Sequence, residues 1–200
     1  MRSLVAVAGA AILLAPVRQA CGAVVAGPCV NAANGHAYYL LAPASWTESE
    51  AEAIALGGHL VAINDEPENE WVWQTFHPLG AGQGDQGNLW IGYSDAASEG
   101  EWEWGNGEPV TWQHWAPFEP NNVNGENYAH MVGSGFQGHE PGYWNDILDS
   151  GAGGGGGVTT PRGVVELIPN PAGVEMPETQ LSRAESWGRI KARFVDTASP

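Results

Sequence analysis

Glu119-Pro120-Asn121-Asn122-Val123-Asn124-Gly125-Glu126-Asn127 and, further on, Trp144-Asn145-Asp146 are the stretches from which this chain is best read. Within them Glu119, Asn121, Glu126, Asn145 and Asp146 present side-chain oxygen, three as carboxylates and two as amides. Calcium takes about six to eight oxygens at about 2.3–2.6 Å, and it accepts carboxylates, amide carbonyls and water in a forgiving geometry. No thiolate or imidazole is interleaved, which argues against zinc and copper. A cis bond at Pro120 would turn the two neighbouring acceptors toward one point. Acidic, Asn-rich loops are also ordinary solvated surface, so the flanking residues have to decide between the two readings.

Those flanks fall in a familiar order. Gly35-His36-Ala37-Tyr38-Tyr39, Trp46 with Ala51, Gly57 to Ile63, Trp90-Ile91-Gly92, Trp112 to Trp115, the Glu-Pro-Asn triplet, Trp144-Asn145-Asp146 and Val164-Val165-Glu166 together resemble C-type lectin-like domains, over about Asn31 to Ile168. The resemblance implies an α+β fold, two helices flanking small antiparallel sheets with a long calcium-binding loop region. It implies a Ca2+ cofactor held by Glu119, Asn121, Glu126, Asn145 and Asp146. Sugar would be contacted by Glu119, Asn121, Glu126 and Asn145. Glu-Pro-Asn goes in that family with mannose-type sugars, meaning mannose, fucose or N-acetylglucosamine, whose vicinal hydroxyls are equatorial; the galactose-type counterpart is Gln-Pro-Asp. An auxiliary ion would fall at Asp95, Glu99, Asn122 and Asn127, with backbone help from Glu126. Two carboxylates common there are amides here, which weakens that site. The two disulfides usual in the family would fall at Ala53 with Val165 and at Tyr128 with Asp149, so the chain resembles a secreted member of bacterial type that lacks them.

At 200 residues the chain suits one domain with appendages. Ten Trp and 28 Gly point to an aromatic-rich, loop-rich fold rather than a helical bundle. Net charge is −16, and between residues 27 and 170 the only Lys or Arg is Arg162. Phosphate recognition needs a basic surface, so nucleic acid and anionic membrane are excluded as partners of this domain. Cations and neutral glycans remain.

Residues 1–26 read as a signal peptide, with Arg2 as the positive start, an apolar Leu4 to Val17, and small residues permitting cleavage after Ala23 or Ala26. The apolar run is too short and too rich in Ala and Gly for a transmembrane span. Arg18-Gln19-Ala20 lacks the aliphatic residue that a lipoprotein signal wants before Cys21. The protein is therefore expected to be secreted, at the cell surface or periplasmic, with Cys21 and Cys29 paired or unpaired according to the cleavage point. Residues 27–170 form the expected domain, and 171–200 a linker and tail. In the tail Leu181, Ala184, Trp187, Ile190 and Phe194 recur at helical spacing beside Arg183, Arg189, Lys191 and Arg193, a short basic amphipathic stretch suited to surface attachment.

Locally, Gly35 to Leu41 is expected to pair with a closing strand, Gly163 to Leu167. Thr47-Glu48-Ser49-Glu50 reads as a capping box for a helix burying Ala51, Ile54 and Ala55. Leu60 to Ile63 reads as a strand, and Asp65-Glu66-Pro67-Glu68 opens a second helix anchored by Trp71, Val72 and Phe76. Pro78 to Asn88 reads as a loop, Leu89 to Gly92 and Glu101 to Trp104 as strands, with Trp102 and Trp104 on one face as core. His130 to Val132 continues as a strand, and Gly151 to Gly157 is a glycine-rich insertion.

The function expected is calcium-dependent binding of mannose-type sugars. The alternative is a calcium-stabilised protein-interaction or structural module that reads no sugar. An enzyme is disfavoured. The six His include no His-x-x-x-His pair, no Gly-x-Ser-x-Gly elbow or phosphate loop is present, and Glu101 and Glu103 fit a solvated strand face better than an acid-base pair.

Overall fold

The computed structural model describes residues 23–82, 85–133, 140–151 and 160–169. The expected leader up to residue 22, most of the glycine-rich insertion and the 171–200 tail lie outside the described residues.

Twelve elements follow in chain order: β1 (Val24–Val30), β2 (Ala37–Pro43), α1 (Trp46–Ala55), β3 (His59–Leu60), α2 (Glu66–Gly80), β4 (Ala81–Gly82), β5 (Asp85–Gln86), β6 (Leu89–Ser94), β7 (Glu103–Trp104), β8 (Tyr128–Met131), β9 (Trp144–Ile147) and β10 (Arg162–Leu167). The principal sheet runs β1-β2-β10-β6-β8-β9, with β3 on β10 and β7 on β6. Its pairings are antiparallel except at β10 and β6, where Arg162 meets Leu89 and Gly163 meets Trp90 in parallel. The sheet is thus mixed, more continuous than small antiparallel sheets would be.

Alternation along the strands builds two cores, because successive side chains leave a strand on opposite faces. Tyr38, Leu40, Val164, Leu89, Ile91, Tyr93 and Trp144 enter one cluster together with Val72 and Phe76 of α2. Tyr39, Leu41, Val165, Trp90 and Ile147 enter the other, where Trp46 and Ala53 of α1 join them. A strand buried on both faces reads as a continuous apolar run, as Ala37 to Leu41 and Leu89 to Tyr93 do. Gly92 is required where the two cores meet, since a Cβ there would stand 2.4 Å from the Leu60 carbonyl oxygen. Trp102 and Trp104 both pack on Tyr93, with ring centroids 5.3 and 4.4 Å away.

Several local expectations are corrected. The capping box of α1 lies two residues earlier, at Ser45 and Glu48: the Glu48 N–H donates to Ser45 Oγ (3.2 Å) and the Ser45 N–H to Glu48 Oε2 (3.1 Å). Thr47 is taken by Asp149 instead, its N–H donating to Oδ1 at 2.8 Å and its hydroxyl to Oδ2 at 3.0 Å. The buried face of α1 is Trp46, Ser49, Glu50 and Ala53, while Ile54 is 56% exposed. The helix is turned by Trp46, whose indole N–H donates to the Ile91 carbonyl (2.8 Å), and by Glu50, which accepts the Leu60 N–H (2.8 Å) and contacts His59 at 2.6 Å.

Only His59–Leu60 forms a ladder; Val61, Ala62 and Ile63 are buried connections, the Val61 N–H donating to the Val164 carbonyl. The expected loop from Pro78 is helix to Gly80, then the short β4-β5 hairpin. Glu101 precedes its strand in a turn, its N–H donating to the Ser98 carbonyl. β1 was unexpected: it lies across the end of the apolar leader, pairs with β2, and buries Ala26 in the first cluster.

Candidate functional site

β9 sets the floor of the site. Its pairing with β8 places Asp146 opposite Ala129, Asn145 opposite His130 and Trp144 opposite Met131. Trp144 is fully buried, with Tyr93, Trp104, Trp112 and Trp115 packed around it at 5.5–6.0 Å. That aromatic packing fixes the strand and so the two residues that follow. Asn145 is 4% exposed and Asp146 not at all.

The loop above is tied to the same strand. The Ala116 N–H donates to the Trp144 carbonyl (2.8 Å), and the Glu119 N–H donates back to the Ala116 carbonyl (3.0 Å). The Glu119-Pro120 bond is cis, as the acceptor geometry led us to expect. Asp146 then captures the loop: Oδ1 accepts the Asn121 N–H at 3.1 Å and Oδ2 the Asn122 N–H at 2.8 Å. Asn122, Asn124 and Gly125 take φ of 50°, 63° and 80°, a left-handed run in which Asn and Gly are the tolerated residues. It returns the chain to Glu126, which is 3% exposed just ahead of β8.

Glu119 feels the charge of two of the other expected ligands. Burial pushes the Glu119 carboxyl up to about 7, and the negative charges of Asp146 and Glu126 push in the same direction, against a bond from the Asn121 backbone that opposes them. Among the described residues no three His, Cys, Asp or Glu side chains form a ready-made metal cluster, so an ion here would have to draw in the two amides as well. Asn121 is exposed, with Oδ1 accepting the Val123 N–H at 2.9 Å.

Asn145 is oriented by a residue that the motif reading left as plain strand. His130 is fully buried, with Nδ1 at 3.2 Å from the Met131 carbonyl oxygen. A carbonyl can only accept, so Nδ1 carries the proton and Nε2 faces Asn145 Nδ2 at 3.4 Å as an acceptor. Nδ2 also donates to the Asp146 carbonyl at 2.8 Å. With Nδ2 so placed, Oδ1 is the atom that can turn to a cation. Only the β8–β9 register, which sets His130 opposite Asn145, reveals this role.

Of the auxiliary set, Asp95 and Asn127 are adjacent, the Asp95 N–H donating to the Asn127 carbonyl at 3.2 Å. Asp95 Oδ2 accepts the Gly100 N–H (2.8 Å), but its Oδ1 and the Oδ1 of Asn127 are buried with no hydrogen-bond partner. Each of these oxygens is unfavourable where it stands, since buried acceptors are ordinarily hydrogen-bonded. Glu99 stands exposed in the turn after Asp95, and Asn122 is exposed in the loop.

A mixed sheet with two helices, two cores and an acidic loop over β9 is the architecture of C-type lectin domains. Residues 42–151 match the Lectin C-type domain family, and the chain belongs to that family. Its domains are carbohydrate-binding or interaction modules rather than enzymes. The chain is 34% identical over 115 residues to human C-type lectin domain family 17, member A, a match covering 57% of this chain and 27% of that protein. It is 31% identical over 104 residues to the galactose-specific lectin nattectin of Thalassophryne nattereri, 52% of this chain and 60% of that one. The chain thus spans less than two thirds of each relative's length. Among solved structures, the cow CD23 carbohydrate-recognition domain in the presence of a GlcNAc2Man3 oligosaccharide is 26% identical with a TM-score of 0.51, covering 68% of this chain and 89% of that one. A calcium-independent type II antifreeze protein shares the fold at 22% identity and a TM-score of 0.55, covering 73% and 96%.

Proposed function

We propose that this protein is a secreted, calcium-dependent carbohydrate-binding module for mannose-type sugars. The observation that carries the reading is that Asp146 holds the loop after Glu119 through the Asn121 and Asn122 N–H groups while the charges of Asp146 and Glu126 raise Glu119, in a domain whose only described Lys or Arg is Arg162. Such repulsion is relieved most directly by a divalent cation, and the expected donor set is all oxygen. Glu119, Asn121, Glu126, Asn145 and Asp146 would hold the calcium, which on binding supplies open coordination places for two vicinal equatorial hydroxyls. The chain's own part is to present Glu119 and Glu126 as hydrogen-bond acceptors and Asn121 as a donor around those hydroxyls, while Asn145, its amide hydrogens held by His130 and the Asp146 carbonyl, offers Oδ1 to the same centre. One sugar held this way binds weakly, so avidity comes from several copies of the site.

The calcium-independent fold neighbour and the galactose-specific relative make ion dependence and sugar choice the points to test. A glycan array probed with the mature protein, first in calcium and then in chelator, is expected to light mannose, fucose and N-acetylglucosamine terminals only in calcium. Signal unchanged by chelator, or confined to galactose terminals, contradicts the reading.

Export completes the proposal. Cleavage after Ala23 leaves β1 whole, whereas cleavage after Ala26 removes the residues that pair with Leu40 and Leu41. The tail at 171–200 acts as an attachment element separable from the lectin domain.

A further inference from the structure

Phe118 immediately precedes the Glu119-Pro120-Asn121 triplet, and at 96% exposed it is the most open of the large apolar side chains among the described residues. Its φ is 74°, the left-handed region that bulky side chains avoid. The cause is a turn: the Glu119 N–H donates to the Ala116 carbonyl, with Pro117 in the second place and Phe118 in the third. Pro second and positive φ third is type II geometry, whose third residue is ordinarily Gly. Phe118 therefore carries two costs, a strained backbone and an apolar ring in water, and it stacks on no other ring among the described residues. Nothing in either core requires it.

The turn projects that ring from the rim of the site. Ala116 is buried and bonded to β9, Glu119 begins the acidic cluster, and Phe118 stands between them facing solvent. Val123, 44% exposed, adds a second apolar group beyond the triplet in the same loop. A sugar held through two hydroxyls buries little apolar surface, while whatever is glycosidically joined to it extends across the rim.

Resting on the sugar-binding reading above, we propose that Phe118 is a stacking platform for an apolar group joined to the bound sugar, either the C–H face of a second sugar ring or an aryl or alkyl aglycone. A strained, exposed residue at a functional rim is where such a role is to be sought.

The test compares the mature chain with Phe118→Gly and Phe118→Trp, in calcium, using methyl α-mannoside, a mannose disaccharide and phenyl α-mannoside. In the wild-type protein the disaccharide or the phenyl mannoside is expected to bind about fivefold more tightly than the methyl mannoside, the range of one aromatic contact. Phe118→Gly, which suits the turn and is expected to melt no lower than wild type, brings that ratio to near one without changing methyl mannoside affinity; Phe118→Trp restores it. A response to the disaccharide alone assigns the second sugar ring, and a response to phenyl mannoside alone the aglycone. Equal ratios in wild type and Phe118→Gly overturn the platform and leave calcium-dependent mannose recognition standing. Loss of methyl mannoside binding in Phe118→Gly also overturns it, by assigning Phe118 to loop shape. Wild-type protein that binds no mannoside in calcium overturns both proposals.

Discussion

The cluster around Tyr38 and the loop around Asp146 both bury carboxylates, and the two treat them in opposite ways. Glu166, 5% exposed, lies 2.8 Å from the Tyr38 hydroxyl and 2.6 Å from His36 Nδ1, and accepts the Ala62 N–H at 3.2 Å. Glu68, 7% exposed, lies 2.7 Å from the same hydroxyl and accepts the Asn64 N–H at 2.9 Å and an Asn34 amide hydrogen at 3.1 Å. Burial raises Glu68 and holds the Tyr38 phenol in its neutral, donating form. That cluster supplies its own donors. Glu68 also feels carboxylates, Glu166 and Asp65, but the Asn64 N–H and the Tyr38 hydroxyl offset them. At the loop the charges of Asp146 and Glu126 reinforce burial, and Glu119 is opposed only by a bond from the Asn121 backbone. The frame answers its buried carboxylates with donors, whereas the loop sets charges of one sign against Glu119.

Breaking the loop side gives the largest effect. Asp146→Asn keeps an acceptor for only one of the two loop N–H groups and removes a charge from the ligand set, and calcium affinity is expected to fall about a hundredfold in a calorimetric titration, since charge count tunes calcium sites over such ranges. Breaking the frame does the converse. Glu166→Ala strands the His36 and Ala62 donors, the Tyr38 hydroxyl keeping Glu68 as its acceptor, and urea unfolding is expected to record a loss of about 2 kcal/mol with calcium affinity unchanged. If each variant damaged both properties equally, the two regions would not be separable in the way drawn here.

Two subtler changes sharpen the comparison. Exchanging Glu119→Gln together with Asn121→Asp is expected to shift the mannose-to-galactose affinity ratio about tenfold toward galactose, the value of one hydrogen bond in competition assays. Last is pH. Glu119 rises from 4.5 in the unfolded chain to about 7 in the fold, so across that interval the metal-free folded state holds a proton that the unfolded chain has lost. Its contribution to stability is present at the acidic end and is lost as pH rises through the folded value. Calcium, binding the ionised carboxylate, has the opposite dependence: affinity rises from about pH 5.5 to about pH 7.5, with proton release visible as a buffer-dependent enthalpy. A flat profile for both quantities speaks against the Glu119 assignment.

What could be read from residues alone follows the same division. That Leu89 to Gly92 is a buried strand was legible from its apolar run, whereas the single mixed sheet with a core on each face was not, because the pairing of β10 with β6 joins segments far apart in sequence. Nor was the helix start. Ser45-x-x-Glu48 and Thr47-x-x-Glu50 offer the same local chemistry, and Asp149, distant in sequence, decides between them by claiming Thr47. β1 was hidden because Val24 to Ala26 also suits the end of an apolar leader, and only pairing with β2 distinguishes the two. Phe118 and His130 carry no local signal of exposure or burial; a turn made with Ala116 and a ladder made with Asn145 place them.

The central claim is that the loop over β9 is a calcium seat. A calorimetric calcium titration of the mature wild-type protein at neutral pH tests it most directly. The account predicts one dominant site that disappears in Asp146→Asn, with at most a weaker second event removed by Asp95→Ala. Absence of any calcium heat, or a dominant site that survives Asp146→Asn, contradicts it.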